Sequence, residues 1–121
     1  MKTVITTLAL VLTALFGLTA CSSAAPAELP AGSVVIDVRT PGEYAAGHLE
    51  GAINVDVQSP DFDSQIGALP KDGAYVVYCQ SGNRSAAAAA RLAELGYTQV
   101  TDAGAMSAAA GSTGLAIVTT P

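Results

Sequence analysis

The residues best suited to chemistry form one short segment, Cys79-Gln80-Ser81-Gly82-Asn83-Arg84, between an apolar strand and a helical stretch. Gly82 can adopt the backbone angles that turn a loop back on itself, so successive N–H groups can point into a small concavity above Cys79. The start of the following helix adds partial positive charge, and Arg84 adds a full one. All three features stabilise a thiolate, so the pKa of Cys79 is expected to lie below that of an ordinary cysteine.

Alternating strands and helices predict the scaffold that positions this segment. Apolar, β-branched runs predict strands, and helical spacing with terminal Gly or Pro predicts helices. The predicted strands are 33–38, 52–55, 74–78, 97–101 and 115–118, and the predicted helices are 43–46, 60–69, 85–95 and 105–110. The alternation indicates an α/β fold with a central parallel sheet and helices on both faces. Cys79 then follows the carboxyl end of a strand, where open α/β sheets carry their sites.

Two stretches resemble the signatures of the rhodanese family. The segment from Cys79 to Arg84 is similar to the family's active-site loop, C-x-x-G-x-R. Residues 35–55, VIDVRTPGEYAAGHLEGAINV, are similar to the family's other signature, with its D-V-R, E-Y, G-H-L and G-A-x-N elements in order. The resemblance covers about residues 33–118 and implies a rhodanese-like fold with sulfurtransferase activity.

The family's reaction implies specific roles for the loop. Cys79 would take a sulfane sulfur from a donor such as thiosulfate, hold it as a persulfide, and pass it to cyanide or a thiol, with no cofactor. The loop N–H groups would bind the persulfide; they belong to Gln80, Ser81, Gly82, Asn83 and Arg84. The related phosphatases and arsenate reductases have a loop one residue longer than the six residues here, so oxyanion chemistry is the alternative at this site.

Three further residues that the resemblance marks are expected to support the loop. Arg39 should pair with an acid, either Glu43 or Asp37, because buried charges need partners, and Asp37 should itself be structural. His48 should brace the backbone through hydrogen bonds, with general-base catalysis as the alternative. It is the only His, and one His with one Cys cannot make a metal site, so no metal is expected.

The C-terminal portion departs from the family pattern. Many members carry G-G-M-x-x-W, whereas here only Gly104-Ala105-Met106 keeps part of it and the Trp position falls near Ala109 or Ala110. The chain has no Trp at all. This change is expected to alter the rim of the pocket, and with it the choice of acceptor, more than the chemistry.

The N-terminal residues predict export. Residues 1–20 combine Lys2 with a long apolar run, as a signal peptide does, and Leu18-Thr19-Ala20-Cys21 resembles a bacterial lipobox. Cys21 would then carry the lipid, residues 21–32 would form a flexible tether and 33–119 the folded domain. This predicts a protein of the cell envelope, anchored to a membrane and facing the periplasm or exterior. An uncleaved anchor helix and an ordinary secretory signal are the alternatives.

Charge and cysteine content narrow the function further. The chain has 5 Lys and Arg against 10 Asp and Glu, so nucleic acid is an unsuitable partner. An anionic donor must be captured locally, against the overall field. If Cys21 is lipidated, Cys79 has no intramolecular partner, which indicates a reactive thiol. The alternatives to an enzyme are a persulfide carrier, a redox sensor or a binding module that forms a mixed disulfide with a thiol-redox protein.

Overall fold

The structure is a computed structural model and describes residues 29–119. Apolar alternation and Gly or Pro boundaries divide this part of the chain into six strands and four helices. In chain order they are β1 (Val34–Asp37), α1 (Pro41–Ala46), β2 (His48–Leu49), β3 (Ile53–Asn54), α2 (Phe62–Gly67), β4 (Ala74–Cys79), α3 (Asn83–Glu94), β5 (Gln99–Ala105), α4 (Met106–Thr113) and β6 (Ile117–Val118).

Four of the strands form one parallel sheet in the order β3–β1–β4–β5. Strand β4 lies inside this sheet, which explains its continuous apolar sequence up to Cys79. In the neighbouring register, Asp37 of β1 lies opposite Tyr78, and Ala105 of β5 lies opposite Cys79. The carboxyl ends of β1, β4 and β5 therefore meet at the edge where the candidate loop begins.

The two faces of the sheet bury separate apolar cores because successive side chains of a strand point to opposite faces. One core joins Val77 and Cys79 to α2 and to the alanine-rich face of α3. The other joins Val76 and Tyr78 to Leu49 and to Ala109 of α4. Small Ala side chains at the helix contacts let α3 and α4 pack closely on the sheet. Helices therefore cover both faces, as the sequence predicts.

The last predicted strand has a different place from the one expected. Instead of extending the parallel sheet, β6 pairs antiparallel with β2, His48 opposite Val118 and Leu49 opposite Ile117. The sequence did not predict β2, because a two-residue strand has no measurable periodicity. Other differences are shifts of element ends: α3 begins at Asn83, and β5 continues to Ala105, where a helix was expected to begin.

The export predictions fall mostly outside the described residues. The signal peptide (1–20), the lipidation at Cys21 and most of the tether lie there, so the predicted domain boundaries stay predictions. Within the described part, Leu29 packs against the core that contains Val76 and Tyr78. Between residues 29 and 119, no helix has the length and apolar character needed to cross a bilayer.

Candidate active site

Cys79 is the last residue of β4 and is fully buried at the base of the loop that follows. Gly82 has a φ of 103°, in the left-handed region that favours glycine, and this turn aims its N–H back at the cysteine. The Gly82 N–H donates to Cys79 Sγ over 2.9 Å. A side chain at Gly82 would meet ordinary contacts at 3.8 Å, so the requirement for glycine comes from the backbone angle.

The loop lowers the pKa of the Cys79 thiol. Burial alone would raise that pKa, but hydrogen bonds from the Ser85 hydroxyl and from the N–H groups of Ser85, Gly82 and Ser81 favour the thiolate, and the net shift is downward. The Ser85 hydroxyl also donates to the Gly82 carbonyl over 3.0 Å. Because it has one proton, it must rotate away from that carbonyl to serve the thiolate.

Ser85→Ala is expected to raise the pKa of Cys79, because a donor to the thiolate is lost. The thiolate fraction at neutral pH then falls, and the acidic limb of the pH profile for alkylation by iodoacetamide moves to higher pH. Ser64→Ala is the matched control, since Ser64 makes the same kind of hydroxyl-to-carbonyl bond to Asp61, over 2.9 Å, on α2. A limb that stays in place in Ser85→Ala, or moves to lower pH, contradicts the assignment.

Arg84 reaches α1 instead of standing free above the loop. Its guanidinium donates to Glu43 Oε1 over 2.7 Å and to Oε2 over 2.9 Å. The Arg84 hydrogen bonds hold the pKa of Glu43 at about 2, well below its usual range, and Thr40 contributes further hydrogen bonds. From the sequence, we predict Arg84 as an anion ligand and consider Glu43 only as a partner for Arg39. The pairing with Glu43 was missed.

Arg39 pairs with Asp37, one of its two predicted partners, and not with Glu43. Both side chains are buried, and Arg39 Nη2 lies 2.7 Å from Asp37 Oδ2. The same guanidinium donates to Gln80 Oε1 over 3.0 Å and to the Gly47 carbonyl over 2.6 Å. Arg39 therefore fastens the first residue of the Cys79 loop to the turn after α1.

Tyr78 extends this buried network on the face of the sheet opposite Cys79. Its hydroxyl donates to Asp37 Oδ2 over 2.9 Å and accepts from the Leu49 N–H over 2.9 Å. Burial, followed by the hydrogen bond to Asp37, raises the pKa of Tyr78, so it stays a protonated donor. The sequence identified Tyr78 only as a core or rim residue. Its hydrogen bonds depend on the packing of β1 and β2 against β4, which the sequence alone does not show.

His48 is buried and engaged with Tyr44. Its Nδ1–H donates to the Tyr44 carbonyl over 2.8 Å, and the two rings stack with centroids 3.7 Å apart. These contacts tie β2 to α1, and the expected roles of His48 stay predictions. The mouth of the loop is formed by Gln80, Ser81 and Asn83, which are exposed. Within residues 29–119, no three His, Cys, Asp or Glu side chains are grouped so that they could hold a metal ion.

The position near the missing Trp is filled by small side chains. Ala109 is fully buried against the core that contains Tyr78, and Ala110 and Met106 pack partly against it. An alanine helix here lies directly on the sheet, which is how the chain fills the core without an indole.

A buried thiol that receives N–H donors from a loop at the carboxyl end of a central parallel strand is an arrangement typical of cysteine nucleophiles on α/β scaffolds. The chain belongs to the rhodanese-like domain family, whose sequence profile matches residues 24–104, more than half of the chain. Both the predicted fold class and the predicted family are confirmed.

Named relatives share this segment. Thiosulfate sulfurtransferase PspE of Escherichia coli K12 is 37% identical over 71 residues, which cover 59% of this chain and 68% of PspE. Thiosulfate sulfurtransferase GlpE of Pseudomonas fluorescens SBW25 is 44% identical over 70 residues, 57% of this chain and 62% of GlpE. The chain thus spans less than two thirds of GlpE. These relatives support a sulfurtransferase-type enzyme.

Solved structures agree with the fold. A rhodanese with anions from E. coli has a TM-score of 0.59 and 30% identity, with 73% of this chain and 99% of that one covered. A rhodanese-related protein from Thermoplasma volcanium has a TM-score of 0.61 and 31% identity, with 73% of this chain and 85% of that one covered.

Proposed function

We propose that this protein is a sulfurtransferase that carries a sulfane sulfur as a persulfide on Cys79. The observation that carries the proposal is the 2.9 Å hydrogen bond from the Gly82 N–H to Cys79 Sγ, within a loop that lowers the thiol pKa. The N–H groups of Ser81, Gly82 and Ser85, which favour the thiolate, would also stabilise an anionic sulfur bound to Cys79. Family membership and the names of the relatives support this assignment.

The proposed reaction has two steps. The Cys79 thiolate attacks the outer sulfur of thiosulfate, the S–S bond breaks and sulfite leaves with its electron pair, so Cys79 holds a persulfide anion. Cyanide or a thiolate then attacks the outer sulfur, the new S–S bond breaks and the thiolate is restored. Splitting the transfer through a covalent intermediate produces ping-pong kinetics. Neither step needs a cofactor.

The test is the intact mass of the full chain after incubation with thiosulfate alone, followed by cyanide. One added sulfur after the donor, lost as thiocyanate after the acceptor, is the expected result. Folded protein with a free thiol that gains no sulfur from thiosulfate would contradict the thiosulfate reaction. A stable mixed disulfide with a protein partner would instead favour the carrier, sensor or binding role.

We further propose that Cys21 carries a lipid that holds the protein on a cell-envelope membrane. The support is the sequence Leu18-Thr19-Ala20-Cys21 after an apolar run. In bacteria that express the full chain, Cys21→Ser is expected to move the protein from the membrane fraction to the soluble fraction, because stable anchoring requires the acyl chains. Equal membrane association of both forms would instead favour an uncleaved anchor helix.

A further inference from the structure

The positive charge nearest the Cys79 loop is already neutralised. Arg84 forms two hydrogen bonds with the Glu43 carboxylate, at 2.7 and 2.9 Å. The other guanidinium at this edge, that of Arg39, is buried and paired with Asp37. The hydrogen bonds with Glu43 raise the pKa of Arg84, and the negative charge of Asp56 raises it further to a smaller extent. The loop therefore presents a bound sulfur donor with the dipoles of its N–H groups and with very little net positive charge.

Glu43 is fixed in this position from its own side. The Thr40 N–H and hydroxyl donate to Glu43 Oε1 over 3.3 and 3.1 Å, and the Glu43 N–H donates back to Thr40 Oγ1 over 3.3 Å. This is a capping box at the start of α1, in which each side chain satisfies the backbone of the other residue. The carboxylate is thus held toward Arg84 by its own helix.

The pair is nevertheless close to Cys79, because the Cys79 thiolate, after Glu43, is one of the charges that raise the pKa of Arg84. The side chain of Arg84 is 25% exposed and that of Glu43 is 34% exposed. A sulfur donor whose outer atom contacts Cys79 must place its anionic end near the loop mouth, within the field of both groups. The chain has a formal net charge of −5, so its overall field adds to the repulsion between the Glu43 carboxylate and an anionic donor.

We propose that Glu43 is a specificity-determining residue that selects sulfur donors by charge, disfavouring dianions such as thiosulfate relative to donors with one negative charge. The inference rests on the proposed sulfurtransferase function. Glu43 acts by occupying Arg84, the cation that would otherwise bind the anionic end of the donor. The class of donor best suited to this site is a thiosulfonate or persulfide with a single negative charge.

Electrostatics predicts the size of the selection. For a donor charge at roughly 6 Å from the Glu43 carboxylate in a water-like dielectric, removing the unit charge of Glu43 changes the affinity for a monoanion about threefold and for a dianion about tenfold. The ratio of the two effects, on a logarithmic scale, follows from the donor charges alone and is two to one. Charge selection therefore has a signature that loosening of the loop would not produce.

The experiment compares thiosulfate with methanethiosulfonate as donors for the full chain and for Glu43→Gln. Methanethiosulfonate gives its outer sulfur to the Cys79 thiolate and leaves as methanesulfinate, so the same persulfide forms. In Glu43→Gln, kcat/KM is expected to rise about tenfold for thiosulfate and about threefold for methanethiosulfonate, mainly through KM. At about 1 M potassium chloride, where the Debye length is about 3 Å, both gains should fade.

Two variants separate charge from structure. Glu43→Asp keeps the negative charge and should keep the donor ratio of the wild type; the same gain as in Glu43→Gln would overturn the proposal. Asp63→Asn removes the carboxylate of another arginine pair, in which Arg91 Nε donates to Asp63 over 2.9 Å, and should leave both kcat/KM values within twofold of the wild type.

The wild type supplies an independent measurement if Glu43→Gln does not fold. Without a free cation at the mouth, kcat/KM for thiosulfate should stay level or rise as ionic strength increases. A steep fall would show that a free positive charge captures the donor, and would overturn the proposal. If neither donor adds sulfur to wild-type Cys79, the proposed function fails; if both do but Glu43→Gln leaves their ratio unchanged, only the role of Glu43 fails.

Discussion

Cys79→Ser is expected to lower sulfur transfer from thiosulfate to cyanide by at least about 10³-fold, the scale on which enzymes lose rate when a covalent nucleophile is removed. Serine keeps nearly the same shape in the buried position below the loop. Its hydroxyl stays protonated at neutral pH, however, and oxygen cannot hold the transferred sulfur as a persulfide. The Gly82 N–H would remain in place with no sulfur anion to stabilise.

The measurement is thiocyanate production by the full chain, with intact mass after thiosulfate alone. Only protein with Cys79 should gain a sulfur atom. Cys21→Ser is the matched control, because it replaces the other of the two cysteines and is expected to leave transfer in solution unchanged. Sulfur that is still added to Cys79→Ser, or transfer that is lost in Cys21→Ser, would place the nucleophile elsewhere.

The geometry of the loop could be predicted because its signals are local. A strand, a cysteine, a glycine able to take positive φ and a helix start occur within a few residues, and Gly82 does have a φ of 103°. The alternation of strands and helices likewise predicts the sheet that carries Cys79, since each element has its own period. Both predictions depend on neighbours in sequence, which one chain displays directly.

The partners of the charged side chains could not be predicted in the same way. Arg84 and Glu43 are 41 positions apart and meet only because α1 and α3 both begin at the carboxyl edge of the sheet. Composition shows that buried charges need partners but not which ones they have. The antiparallel pairing of β2 with β6 was not predicted for a related reason. Each strand has two residues and is specified by its contact with the other.

The largest effect on stability is expected at Asp37. This carboxylate is fully buried and accepts hydrogen bonds from the Arg39 N–H and guanidinium and from the Tyr78 hydroxyl. Asp37→Asn keeps the size of the side chain but removes the charge that neutralises Arg39. Breaking a buried ion pair in this way costs about 3–5 kcal/mol, because the remaining charge is left without a partner.

A loss of that size is a large fraction of the total stability of a small domain, about 5–15 kcal/mol. Urea denaturation followed by circular dichroism should therefore show a much lower midpoint for Asp37→Asn. Asp63→Asn is the control, since its pair with Arg91 is exposed and should shift the midpoint far less. Similar small shifts for both variants would contradict a structural role for the buried pair.

The double variant Asp37→Asn with Arg39→Gln tests whether the unpaired charge causes the loss. If it does, the double variant should be more stable than Asp37→Asn alone, because removing Arg39 also removes the buried cation. Gln80 would still lose its hydrogen bond from Arg39 Nη1, which is 3.0 Å long in the wild type. Stability should therefore recover in part, whereas sulfur transfer should fall below that of the wild type, since Gln80 is no longer fastened to the turn after α1.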